Sequence, residues 1–96
     1  MNVDASNEKR EKLNSCADRL ENIKWRLNLY KNDLNANWDS IEMLEINNCI
    51  DAILNRIQRD INSLHSIDSD ISSAIDEYLE EEEEEEEIII DTNTNY

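Results

Sequence analysis

The feature that most constrains this chain is the spacing of its apolar residues. Between residues 13 and 34 they fall at Leu13, Cys16, Leu20, Ile23, Leu27, Tyr30 and Leu34, at steps of three and four without a miss. A second series, from Met43 through Ile46, Ile50, Ile53, Ile57, Ile61, Leu64, Ile67, Ile71 and Ile75 to Tyr78, keeps the same steps. Such a period belongs to helices that pack on other helices, and a strand cannot satisfy it. With no glycine and no proline anywhere in the chain, nothing interrupts either series. The spacing predicts an all-α antiparallel two-helix hairpin, with helix 1 over about residues 5–36 started by Asp4 or Ser6, a turn at 37–39 and helix 2 over about 40–80. Leu13, Leu20, Leu27 and Leu34 read as one edge of the helix 1 seam, with Cys16, Ile23 and Tyr30 as the other.

The corner falls in "LNANWDSIEM", Leu34 to Met43. Asp39 followed by Glu42 fits a capping box, and Trp38 with Met43 fits the hydrophobic staple that fixes the angle at which the chain enters helix 2. Asn35 and Asn37 are suited to the left-handed backbone that ends a helix when glycine is absent. A hairpin folded about residue 38 sets position i of helix 1 level with about 76 − i of helix 2. Cys16 and Cys49 are then far apart along the axis, beyond the ~7 Å Cα limit for a disulfide, and read as small buried or half-buried apolar residues. On the same register helix 2 outruns helix 1, so that Ile75, Tyr78 and Leu79 lack a partner. Trp25 and Leu29, four residues apart and off the seam, lack one too. Trp25, Leu29, Ile75 and Leu79 are thus the expected partner-facing apolar residues, and a four-helix assembly with a partner is the expected way to cover them.

Charge separates the two halves. Residues 1–38 carry seven Lys and Arg against six acids, whereas residues 39–96 carry two against eighteen. The acidic half disfavours nucleic acid and anionic lipid as partners and favours basic ones. Glu80 to Glu87 is an unbroken run, followed by "IIIDTNTNY". Like charges along a helix and at its carbonyl end are unfavourable, so residues 80–96 are expected to be an acidic low-complexity tail. The run is read as a solvated tail, with mimicry of a nucleic-acid backbone as the alternative.

No apolar stretch is long enough for a membrane span, which needs ~20 such residues, and the first thirty hold no signal-peptide core. The chain is expected to be cytoplasmic before any export, and exported, if at all, without a cleaved signal peptide. No catalytic, cofactor-binding or metal-binding residues are expected. His65 is the single histidine and has no second ligand at helical spacing; Asp68 and Asp70 lack the glycine and distal ligands of a calcium loop. No phosphate loop or nucleophile constellation is present, so an enzyme is not expected.

A helical hairpin of this length, with "NANWDS" at its corner and "YLEEE" past the end of the paired helices, resembles the WXG superfamily, the ESAT-like small proteins of type VII secretion. Trp38 stands where the family has its tryptophan, and Tyr78 with Glu82 matches its Tyr-x-x-x-Asp/Glu export motif. The family's Trp-x-Gly reads Trp38-Asp39-Ser40 here. Loss of the glycine is more similar to the helical helper proteins that pair with LXG toxins than to a regular WXG substrate. The resemblance implies a non-enzymatic partner, or targeting helper, that binds the helical N-terminal domain of an LXG-type effector, with Trp38, Asp39, Ser40, Tyr78 and Glu82 as its interaction and export motif. The alternatives from the residues themselves are an acidic inhibitor of a basic protein surface and a structural coiled-coil homodimer, or pairing with a second small hairpin.

Overall fold

The computed structural model describes the backbone of residues 1–94 and the side chains of residues 1–85. Two helices account for it: α1, Val3–Asn37, and α2, Glu42–Thr94, packed side by side in an all-α hairpin. Asn2 rather than Asp4 or Ser6 caps α1, its Oδ1 accepting the Ala5 N–H at 3.0 Å. That placement satisfies one of the donors every helix leaves free at its start.

The corner is made without a left-handed residue. No residue described has a positive φ. Trp38 instead swings to an extended conformation at φ −139°, ψ 109° while its N–H still bonds the Leu34 carbonyl at 2.9 Å. The asparagines act through their side chains: Asn37 Nδ2 donates to the Asp33 carbonyl and Asn35 Nδ2 to that of Lys31. Asn35 and Asn47 also exchange two amide hydrogen bonds at 2.8 Å, tying the end of α1 to the start of α2.

Helix α2 starts two residues later than a cap at Asp39 would set it. Its first turn is closed by Met43 N–H to the Ser40 carbonyl and Leu44 N–H to the Ile41 carbonyl, both 3.1 Å. Those tight i→i+3 bonds occupy the N–H groups of Met43 and Leu44, whereas the capping box was expected to occupy those of Asp39 and Glu42. Glu42, expected inside the first turn, is the first residue of α2, and its own backbone N–H holds its carboxyl below the usual carboxylate range.

The longer corner shifts the register. Arg10 meets Asp68, Lys24 meets Gln58, Lys31 meets Asp51 and Asn35 meets Asn47, so position i lies level with about 78 − i near the open end and 82 − i near the corner. Ile75 is therefore not beyond the end of α1: it is only 6% exposed and belongs to the hairpin's own core. Past it, α2 continues as a single helix through the glutamate run to Thr94, where the sequence reading ended it at about residue 80. Glutamate is a good helix former, and repulsion between solvated carboxylates costs only tenths of a kcal/mol per pair. Residues 95 and 96 of the expected tail lie outside the described residues. Among those described, no helix is long and apolar enough to cross a membrane.

Candidate interaction surface

Which columns of each helix meet decides what surface is left over. On α1 the covered positions are Leu13, Leu20, Leu27 and Leu34, as expected, but their companions are Arg10, Ala17, Lys24 and Lys31. On α2 the covered positions run Met43, Asn47, Ile50, Leu54, Ile57, Ile61, Leu64, Asp68, Ile71, Ile75 and Tyr78, a strict heptad seam. Ala17 is fully buried, and a methyl side chain there lets the two backbones draw close. Ile61, 1% exposed, is the largest side chain wholly enclosed.

Both helices are thus rolled by one column from the expected seam, and they are rolled so that the same side opens. Cys16, Ile23 and Tyr30 of α1 and Ile53 and Ile67 of α2 are displaced outward, with Tyr30 59% and Ile53 51% exposed. They do not scatter over the surface. Ile23, Leu27, Tyr30, Ile53 and Ile57 line one open trough of about 480 Å³, bordered by Arg26. Leu13, Cys16, Leu64 and Ile71 line a second of about 380 Å³, bordered by Lys9 and Lys12. Since both use the Leu13–Leu27 edge of α1 and the Ile57–Ile71 edge of α2, they lie along one face.

The opposite face is closed by polar side chains. Arg10 Nε lies 2.9 Å from Asp68 Oδ1 and Lys31 Nζ 2.7 Å from Asp51 Oδ1, while Lys24 bonds Gln58. The Arg10 guanidinium beside Asp68 holds that carboxyl below its ordinary range. Long cationic stems lie over the apolar seam and keep their charged ends at the rim, which shields the leucines beneath from water.

The residues singled out from the sequence are placed as follows. Trp38, Asp39 and Ser40 form the corner itself; Trp38 is 47% exposed, and Ser40 Oγ is buried without a hydrogen-bond partner. Tyr78 and Glu82 are brought together: the phenol donates to Glu82 Oε1 at 3.1 Å, and that carboxylate raises the pKa of Tyr78. Tyr78 is half-buried against the hairpin, so it is the last seam residue as well as the first of the overhang. Trp25 and Leu29 are exposed as expected, but Trp25 sits two residues past Ile23, ~200° around the helix, and so turns away from the trough. Leu79 is exposed on the outgoing helix. The four residues expected to face a partner therefore do not form one surface.

Sequence reasoning missed that Cys16, Ile23, Tyr30, Ile53 and Ile67 are surface rather than seam. A signal existed in the opposite charges of Arg10 with Asp68 and Lys31 with Asp51, which pair only on one roll of the helices. Both cysteines are free and exposed rather than buried. Among the described residues no cluster of three or more His, Cys, Asp and Glu side chains could hold a metal ion. No known protein family matches the chain, and no curated protein or solved structure does either.

Proposed function

We propose that this chain is a non-enzymatic partner protein of type VII secretion, a targeting helper that lays its open apolar face on the helical N-terminal domain of an LXG-type effector. The observation that supports it most is the one-sided trough. A two-helix hairpin with a polar-sealed side and an apolar open side lacks the second layer that a helical bundle needs, and an effector's helices would supply it. Trp38 at the corner and the bonded Tyr78–Glu82 pair at the far end agree in residue type and position with the resemblance to the WXG superfamily.

Co-expression with the N-terminal helical domain of an LXG protein encoded beside this chain tests the reading. Co-purification of a stable heteromer is expected, lost in Ile53→Glu and retained in Trp25→Ala. Export of the effector should fail in Tyr78→Ala and Trp38→Ala although both variants stay helical. Failure of every such pairing would overturn the secretion reading.

A second reading has its own observation. The described carboxylates of Glu80 to Glu85 are all exposed on a single helix that projects beyond α1, a form suited to a basic protein surface. Salt separates the two, because a complex built on the trough survives screening and one built on the glutamates weakens with it.

A further inference from the structure

We infer that, when no other partner is present, the trough is filled by a second copy of this chain, in a four-helix dimer whose two-fold axis runs parallel to the helices. This inference stands apart from the secretion reading, since it concerns the free chain.

Size comes first. The paired part of the hairpin is about 36 residues long, which at ~1.5 Å per residue is ~50 Å, and two helices side by side are ~20 Å across. One such face offers on the order of 1,000 Å² per copy, compared with the ~800 Å² per partner of an ordinary stable interface. Its centre is apolar, through Ile23, Tyr30, Ile53 and Ile57, and its margins are charged, as in interfaces that persist in solution.

Charge then selects the occupant's orientation. Lys12, Arg19 and Arg26, seven residues apart, make a basic margin along α1, and Lys12 and Arg26 border the troughs. On α2 Asp60, in the column of Ile53 and Ile67, with Asp70 and Glu77 in the column beyond it, makes the other side acidic, Arg56 being the one base among them. A two-fold axis parallel to the helices sets α1 of each copy against α2 of the other at the same level. On the register above, Arg19 then comes level with about Asp60 of the second copy, and Lys12 with about residue 66, one helical turn from Asp70. One like-charged meeting remains, Arg26 with Arg56, and Arg56 is already turned toward Asp60 of its own chain at 3.3 Å. A two-fold axis perpendicular to the helices sets α1 on α1 and α2 on α2, so that each margin meets itself: base on base and acid on acid. The acidic overhangs project from the same end in the chosen arrangement, but they belong to helices diagonal to one another. With ~10 Å between neighbouring axes the diagonal is ~14 Å, beyond the ~8 Å screening length at physiological ionic strength.

The test uses the full chain and its own cysteines. Sedimentation equilibrium should give twice the chain mass of 11.3 kDa. Ile53→Glu, which carries a carboxylate into the apolar centre, should raise the dimer dissociation constant more than about a hundredfold while circular dichroism still reports helix; Trp25→Glu, on the far side, should leave the dimer intact. Arg19→Glu should weaken the dimer about tenfold and Asp60→Arg in the same chain should restore it. A nitroxide on Cys49 in the Cys16→Ser chain, Cys49 lying about 12 residues from the middle of the paired segment, should report a distance of ~15–20 Å between copies, against ~35 Å for the perpendicular axis at the same helix rise. A monomer throughout, a dimer broken by Trp25→Glu but not by Ile53→Glu, or the longer spin–spin distance would overturn the inference. None of those results would bear on whether the effector domain binds.

Discussion

On one side of the hairpin Arg10, Lys24 and Lys31 reach over the leucines to Asp68, Gln58 and Asp51; on the other Ile23, Tyr30 and Ile53 lie together with only solvent above them. Both sides flank the same seam, so helix propensity and seam packing do not distinguish them. The difference lies in what each side does. The polar side sets register, because an ion pair is met only when its two residues are level, whereas leucines and isoleucines slide past one another at small cost. The apolar side sets nothing within the chain and leaves a face that another molecule can cover. Specificity for the fold and capacity for a partner are thus divided between two sides of one ribbon.

The strongest way to break the comparison is to strike the seam that both sides share. Ile61→Ala should cost about 2–4 kcal/mol, the range for emptying a buried aliphatic site. Chemical unfolding followed by circular dichroism would measure it, and a change within experimental error would mean that the two helices are not held by this seam.

Next is the open side. Ile53→Ala should change the stability of the isolated hairpin by less than about 1 kcal/mol, because half of the side chain is already in water. Any association through the trough should suffer far more. If unfolding stability and association fall together, the trough is part of the core and the two sides are not distinct in role.

The sealed side sharpens the comparison more gently. Lys31→Ala removes an exposed ion pair, for which up to about 1 kcal/mol is expected. Its signature should be looser register, seen as faster amide exchange near the corner, rather than unfolding. The pair of Arg10 and Asp68 gives the matching pH dependence. Its folded-state pKa is depressed, so its contribution is present above the ordinary aspartate range and is lost as pH falls through the lowered value. Acidification should therefore loosen the open end of the hairpin, read by exchange at residues near Asp68, and Arg10→Met should weaken most of that pH dependence.

The smallest effect is expected at the corner. Trp38→Ala should cost less than about 1 kcal/mol, since the indole is half exposed and the turn is held by the backbone bonds of Trp38, Met43 and Leu44. A large loss would show that the indole is a staple after all.

Much of this molecule was legible in its residues. The three-and-four spacing from Leu13 to Leu34 and from Met43 to Tyr78 prescribes two helices, and the lack of any other break prescribes one corner, because an apolar stripe of that period can be buried only by another helix. The Tyr78–Glu82 contact was legible as well, as an i,i+4 pair on a continuous helix. The roll of the helices was not. On α2 the apolar stripe is three columns wide and a contact with one helix covers two; on α1 the column that closes is Arg10, Ala17, Lys24 and Lys31, so apolar periodicity by itself points to the other roll. The choice fell to contacts between residues 12 to 58 positions apart, Asn35 with Asn47 and Arg10 with Asp68 among them. Such pairs form only when both helices are already side by side, and no local propensity encodes them. The length of the corner was decided in the same way: extended backbone at Trp38 and a tight first turn at Ser40 and Ile41 moved the register by several residues and drew Ile75 into the core. Sequence alone determined that apolar surface would be left over; tertiary structure decided that it is the face of Tyr30 and Ile53, because the charged stems of α1 closed the other.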